Sequence, residues 1–206
     1  MSMRISKTLR LVTLLLQLAI ATPLIAGCGV NAIPSYQEQA KAAWAQVLNQ
    51  YQRRADLIPN LVATVKGAAN FESKTLQNVV EARAKVGQMQ LPPDILSNPQ
   101  AMQQFEQNQA GLTAALSRLM VVVEQYPELK ANANYQTLQA QLEGTENRIA
   151  VARRDYIEAV RVYNTELHTI PGRWWAALLY PDAKEMAQFT VEEKAAEVPA
   201  VDFSKP

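Results

Sequence analysis

The sequence predicts an all-α protein: an antiparallel, up-and-down four-helix bundle with long helices, a short C-terminal aromatic segment and a flexible tail. Three observations support this fold class. The 206 residues include only 7 glycines and are rich in alanine, leucine, glutamine and valine, a composition that favours helix over strand. Apolar side chains recur at spacings of three and four along most of the chain. Prolines and asparagines separate these periodic stretches, and short connections between consecutive helices favour antiparallel neighbours.

The first 27 residues have the order of a secretory signal: a positive start, an apolar stretch over 11–27 and small residues at its end. The sequence LIAGC at 24–28 resembles the lipobox of bacterial lipoproteins, in which the cysteine is acylated. We therefore predict a lipoprotein signal peptide over 1–27 and lipidation of Cys28. The alternative is an uncleaved inner-membrane signal anchor, although the apolar stretch is shorter than the ~20 residues of a spanning helix.

The predicted anchor also indicates a location. Residue 29 is glycine rather than the aspartate that accompanies inner-membrane retention of lipoproteins. If the cell has two membranes, the lipobox resemblance therefore favours the outer membrane, with the body on its periplasmic face. On either alternative the positive start stays inside and the body is exported. Residues 28–35 are expected to be a lipidated linker to the bundle.

The first two helices are predicted to meet near Pro59. Apolar residues have helical spacing from Ala40 to Tyr51, and again from Leu57 to about Met89. Proline breaks a helix interior, and Asp56 is a suitable N-cap for a new helix. The sequence therefore predicts a tight reversal at 54–57, with one kinked helix through this region as the open alternative.

The third and fourth helices have clearer limits. The third is expected from about Gln100 to Tyr126, and the fourth from about Ala133 to Ile170. The fourth helix carries an unbroken heptad repeat, the pattern of a coiled-coil seam or a long bundle. Its predicted seam residues are Tyr135, Leu138, Leu142, Thr145, Ile149, Ala152, Tyr156, Ala159 and Tyr163.

The C-terminal part begins where the sequence Pro171-Gly172 ends the fourth helix. Trp174 and Trp175 follow in a short apolar segment, where they fit either a membrane interface or a cap on the open end of the bundle. The large area that buried aromatic rings contribute favours the cap. The bundle is expected to cover 36–190, and the acidic, alanine- and proline-rich residues 191–206 a disordered tail.

Three stretches of the chain resemble signature sequences of the LemA family. They are QRRADLIPNLV at 52–62, YPELKAN at 126–132 and GTENRIAVARRDY at 144–156, and the resemblance runs in order from about Ile33 to Thr190. It implies a membrane-associated bundle of four long helices, in agreement with the periodicity. The family has no settled biochemical activity, so the resemblance implies architecture and location rather than a mechanism. Many relatives start with a membrane segment that lacks an acylated cysteine, so the lipobox departs from the family pattern.

The sequence gives little support to catalysis. It has no glycine-rich phosphate loop, and its single histidine, His168, excludes a two-histidine zinc site. The only cysteine belongs to the leader, and a catalytic triad would have no other histidine. We therefore predict no enzyme activity, cofactor or metal, and expect His168 to complement the dipole of its helix. The net charge is +1 with three cations in the leader, which argues against a nucleic-acid partner.

Two groups of side chains remain as candidate binding sites. One is a charge cluster that is expected to form interhelical ion pairs or to bind an anion. The other is the outer face of the fourth helix, where β-branched residues stand among arginines as in protein-contact surfaces; ordinary exposed aliphatic side chains are the alternative. The charge cluster comprises Arg53, Arg54, Glu146, Arg148, Arg153 and Asp155, and the outer face Val151, Arg154, Ile157 and Arg161.

These features lead to two hypotheses for function. The first is a non-enzymatic, membrane-anchored envelope protein that binds or scaffolds a membrane protein partner. The alternative is a ligand-binding or accessory enzyme protein with its site in the charge cluster. A ligand pocket would need small or polar residues that open the seam of the fourth helix, and that seam holds mainly aliphatic and tyrosine side chains. The first hypothesis is therefore favoured.

Overall fold

The computed structural model describes residues 29–67 and 72–189, and over these residues the protein is helical with no β-strand, as predicted. The predicted signal peptide, Cys28 and the tail from 191 lie outside the described residues. The up-and-down arrangement of four helices stays a prediction. The helices are α1 (Ala32–Lys66), α2 (Ser73–Gln88), a 3₁₀ helix (Ile95–Ser97), α3 (Pro99–Val123), α4 (Pro127–Lys130), α5 (Ala133–His168) and α6 (Gly172–Leu179).

The most extensive packing joins α1 to α5, and α2 packs mainly on α3. Trp44 of α1 lies against Tyr156 of α5, with ring centroids 5.4 Å apart. Further along α1, Arg54 pairs with Glu146. These contacts come in opposite order along the two helices, so α1 and α5 run in opposite directions.

Helix α1 is continuous over 35 residues and contains Pro59 in its interior. The predicted reversal at 54–57 is therefore wrong, and the alternative of one helix through this region is correct. Proline has no amide hydrogen to donate to the carbonyl four residues earlier, that of Ala55. Arg83 of α2 takes over this role, because its Nε donates to the Ala55 oxygen at 3.0 Å. The predicted second helix over 57–89 is accordingly divided between the end of α1 and α2.

Two apolar clusters form the core. The first core cluster lies around the start of α1 and the end of α5, and includes Trp44, Phe105 and Tyr156. The second core cluster lies around the end of α1 and the start of α5, and includes Leu61 and Leu142. Seven of the nine predicted seam residues of α5 are buried; Leu138 and Ala159 are half-buried. The seam prediction therefore identified most of the buried face of α5.

A non-helical strap, residues 183–189, follows α6 and lies along α5. The side chain of Asn164 donates to the backbone oxygen of Met186 and accepts from its backbone nitrogen, both at 2.9 Å. The hydroxyl of Tyr156 donates to the backbone oxygen of Ala187 at 2.8 Å. The ring of Phe189 then packs against Tyr156, with centroids 5.3 Å apart. The strap thus completes the first core cluster, a role that the sequence analysis did not predict.

Candidate functional site

A layer of polar side chains separates the two core clusters. Helices α1, α3 and α5 each bury one polar residue at this level, where the helical period would otherwise place an apolar side chain. On α1, for example, Tyr51 belongs to the first core cluster and Ile58 to the second, and the buried Arg54 lies between them in sequence. We define the polar layer by these three residues and two partners of the arginine: Arg54, Gln109, Thr145, Thr113 and Glu146.

Arg54 is the centre of the polar layer and is only 1% exposed. Its Nη1 donates to the hydroxyl of Thr113 at 2.7 Å and to a carboxylate oxygen of Glu146 at 2.8 Å. Its Nη2 donates to the side-chain oxygen of Gln109 at 2.6 Å and to the backbone oxygen of the same residue at 3.3 Å. The guanidinium also lies over the ring of Tyr51, 5.0 Å from its centroid. Arg54 therefore links α1 to α3 and α5, using the forked geometry that lysine lacks.

Glu146 connects this buried cation to the surface, because its own side chain is 41% exposed. A buried guanidinium without a counter-charge would be strongly unfavourable, and the carboxylate supplies that charge. Of the three guanidinium nitrogens of Arg54, only Nε has no hydrogen-bond partner among the described residues. The arrangement is therefore that of an interhelical ion pair that fixes how α1, α3 and α5 are aligned.

Arg153 lies beside the polar layer, in a groove of about 440 Å³ that Arg54 and Glu146 also line. Its Nη2 is 3.3 Å from a carboxylate oxygen of Glu106, and its guanidinium lies over the ring of Phe189, 4.4 Å from the centroid. Burial raises the pKa of the Tyr51 phenol, although Arg153 and Arg54 act in the opposite direction. Tyr51 therefore stays protonated at neutral pH and is a poor general base.

The structure divides the charge cluster that the sequence predicted. Arg54, Glu146 and Arg153 come together around the groove just described. Arg148 and Asp155 instead line a second, shallower groove of about 320 Å³. Arg53 is exposed on α1 and lines neither groove. The six residues thus do not form one site.

The second groove contains Val151, one of the predicted contact residues, whose side chain is 48% exposed. Gln50 of α1 also lines it, and its side-chain oxygen is buried without a hydrogen-bond partner among the described residues. We call this surface the Val151 groove; it is lined by Gln50, Asn147, Arg148, Val151, Ala152 and Asp155.

The other predicted contact residues differ in exposure. Arg154 is exposed, with Nη2 3.5 Å from a carboxylate oxygen of Asp155. Arg161 is also exposed and donates two hydrogen bonds to Glu158, at 2.8 and 2.6 Å, which lower the pKa of that carboxyl. Ile157, by contrast, is half-buried and packs against the first core cluster. The predicted outer face is therefore open at three of its four positions.

Sequence reasoning placed Arg54 and Glu146 in one charge cluster but missed Gln109 and Thr113, the partners of Arg54 on α3. The apolar stripe of the third helix has a gap between Phe105 and Leu112, and Gln109 fills that gap with a buried polar side chain. Such a gap is a signal for a buried polar contact, although it does not identify the partner. His168 lies in the last turn of α5, where its Nε2 is 2.6 Å from a carboxylate oxygen of Glu185.

The described part of the chain contains neither a membrane-spanning helix nor a cluster of metal ligands. Within 29–67 and 72–189, no helix combines the length and the apolar character that a membrane span requires. The same residues contain no group of three or more histidine, cysteine, aspartate or glutamate side chains that could hold a metal ion.

The chain is similar to known proteins over most of its length. A family model described as the LemA family matches residues 43–203. The chain is similar to the magnetosome proteins MamQ 1 and MamQ 2 of Paramagnetospirillum magneticum, with 35% identity over 91 residues, which cover 44% of this chain and 32% of each relative. It is also similar to the magnetosome protein MamQ of Magnetospirillum gryphiswaldense, with 24% identity over 187 residues, which cover 83% of this chain and 68% of the relative. The match thus spans about a third of the length of the first two relatives.

Proposed function

Because this chain belongs to the LemA family, we propose that it is a non-enzymatic, membrane-anchored envelope protein whose helical body binds a membrane protein partner. The lipobox at Cys28 supports an anchor in the outer membrane, with the body on the periplasmic side. The observation that carries partner binding is the Val151 groove, which combines an exposed apolar side chain with a buried polar atom that lacks a partner.

The Val151 groove has the composition of a contact surface. An exposed valine flanked by Arg148 and Asp155 places an apolar centre between charges of both signs, as in protein interfaces. The side-chain oxygen of Gln50 also favours binding of a partner that supplies a donor, since a buried acceptor without a donor is unfavourable. A partner side chain that donates to this oxygen while covering Val151 would gain from both features.

The polar layer supports a role without catalysis. Its cation, Arg54 of α1, donates hydrogen bonds to side chains of α3 and α5 in the same chain. The phenol beside it is kept protonated by burial. Such a network aligns helices, whereas a catalytic site would present a nucleophile or a base to a substrate.

The proposal is tested by crosslinking from native membranes with the double variant Val151→Ser, Arg154→Ala. Recovery of the crosslinked partner should fall, because central apolar and arginine contacts can each contribute more than ~1 kcal/mol to binding. Folding should be almost unaffected, within about 0.5 kcal/mol per site, since both side chains are exposed.

The matched control is the double variant Val121→Ser, Arg118→Ala on α3. It removes an exposed valine and an exposed arginine that are also three residues apart, but on another face. Equal recovery from both double variants and the parent would refute partner binding at the Val151 groove. Ile157 is left unchanged because it packs on the core, so replacing it would lower stability and recovery together.

A further inference from the structure

The end of the molecule around α6 carries a concentration of exposed apolar side chains. Among the described residues, seven large apolar side chains are strongly exposed, and four of them fall between 170 and 179. Trp174 and Leu178 are four residues apart within α6 and therefore lie on one side of the helix, and Ile170 lies in the turn that precedes it. The side chains and their exposed fractions are Ile170 (64%), Trp174 (61%), Leu178 (73%) and Leu179 (49%).

Helix α6 is held firmly from its other side. Trp175 and Tyr180 pack against the first core cluster, so the cap that the sequence predicted is formed by Trp175 and not by Trp174. At the start of the helix, Gly172 is buried, and a Cβ added there would overlap the backbone oxygen of Glu166 in α5. The close fit fixes the orientation of α6 and thereby the direction of its apolar face.

The chain also enters the described structure beside α6. Gly29 has a φ of +99°, and the position of a Cβ added to it is 3.6 Å from Pro171 and 3.9 Å from the indole nitrogen of Trp175. Cys28 and the apolar stretch 11–27 come immediately before it. Whether Cys28 is acylated or the leader is an uncleaved anchor, the membrane attachment is one residue away, and one residue spans at most ~3.6 Å. Either anchor therefore holds α6 at the membrane surface.

We infer that the exposed face of α6 docks on the lipid bilayer as a second membrane contact next to the anchor. This inference rests on the membrane anchoring in the proposed function. Tryptophan is suited to the membrane interface, and a short helix with one apolar face lies in that plane. Leu178 and Ile170 enter the acyl-chain boundary, and the exposed Arg173 faces the lipid phosphates. The two contacts together fix the angle of the bundle on the membrane, which a single point of attachment does not.

The test is quenching of tryptophan fluorescence by brominated lipid. The full-length protein is reconstituted into vesicles of phosphatidylethanolamine and phosphatidylglycerol, with and without bromine on the acyl chains near the headgroups. The chain has three tryptophans, of which Trp44 is buried in the core and Trp174 is exposed on α6. Contact of Trp174 with lipid should remove up to roughly a third of the emission, one tryptophan in three. Trp174→Phe should abolish most of this quenching, whereas Trp44→Phe should leave it in place.

Leu178→Gln provides a second variant that keeps the reporter tryptophan. It should reduce quenching by weakening the docking, and Val121→Gln on α3 serves as its control because that valine is similarly exposed. Flotation of the same vesicles reads anchoring separately. A protein that floats but whose emission is unaffected by bromine overturns the docking of α6 and leaves the anchor standing. An apolar face of α6 that is covered by a second copy or by another protein gives this result. A protein that does not float overturns both the anchor and the docking.

Discussion

Replacement of Arg54 by methionine gives the most direct test of the polar layer. Methionine keeps much of the side-chain length but removes the cation and its four hydrogen bonds. Gln109, which is 4% exposed, then retains a buried side-chain oxygen without its donor. A buried acceptor left unpaired costs about 1–3 kcal/mol. The carboxylate of Glu146 is 41% exposed and can be hydrated, so no buried charge is left unpaired. We expect Arg54→Met to lower the free energy of unfolding by about 1–3 kcal/mol.

The opposite replacement, Glu146→Gln, should cost more, because it leaves the buried guanidinium of Arg54 without its counter-charge. It removes the negative charge but keeps an oxygen that can accept from Nη1 of Arg54. The cation also keeps Gln109 and Thr113 as acceptors. These hydrogen bonds do not replace the counter-charge, and a buried charge left without its partner costs about 3–5 kcal/mol, which is the expected loss.

The double variant distinguishes an ion pair from two independent contributions. Once Arg54 is replaced, the carboxylate of Glu146, 41% exposed, can turn to water. Glu146→Gln should then change stability by less than about 0.5 kcal/mol, which gives a coupling energy of about 3–5 kcal/mol. Urea unfolding followed by far-ultraviolet circular dichroism measures all four proteins, with exposed Arg53→Met as the matched control. Strictly additive losses, or an Arg54→Met protein as stable as the parent, would show that the ion pair of Arg54 does not hold α1, α3 and α5 together.

Two further predictions concern α1 and the strap. Pro59→Ala should stabilise the protein, because a new amide can donate to the carbonyl of Ala55. Arg83→Met should lower the free energy of unfolding by about 1–3 kcal/mol in the parent and by clearly less in the Pro59→Ala background. Urea unfolding measures both effects. An equal cost in both backgrounds would contradict the compensation. Burial raises the pKa of Tyr156 above its ordinary 10.0, so the unfolded chain loses the phenol proton at a lower pH than the folded protein does. The contribution of this phenol to the free energy of unfolding is therefore fully present below pH 10 and is lost as the pH rises above it. Thermal melts of Tyr156→Phe should show a shallower alkaline fall than the parent, and identical slopes would exclude a contribution from this phenol.

The spacing of apolar residues along the sequence predicted the all-α class and the bounds of the two helices that have the clearest spacing. The all-α class is confirmed, and the fourth helix, expected over 133–170, is observed as α5 over Ala133–His168. The third helix, expected over 100–126, is observed as α3 over Pro99–Val123. Asparagine side chains at 98 and 132 cap these two helices, which is why their starts could be located within a residue.

The sequence could not predict features that depend on distant residues. Pro59 lies inside a helix because Arg83, 24 residues away in sequence, bonds to the carbonyl that the proline leaves free. With the helix broken at this point in the prediction, Arg54 could not be placed in the buried stripe of α1. The strap has no periodic pattern, since side-chain contacts such as those of Asn164 hold it rather than a ladder of its own.

The polar layer also has a consequence for how the molecule comes apart. A bundle with one continuous apolar interior opens as a whole, whereas this interior is interrupted at the level of Arg54. The half nearest Gly29 contains the strap and the end of α5, and the far half contains α2 and the turn through α4. Proteins open in such contiguous units, each with its own free energy. Heat that melts the far half would stop at this layer of hydrogen bonds and leave the half nearest Gly29 folded, so that the rest of the chain can refold on it.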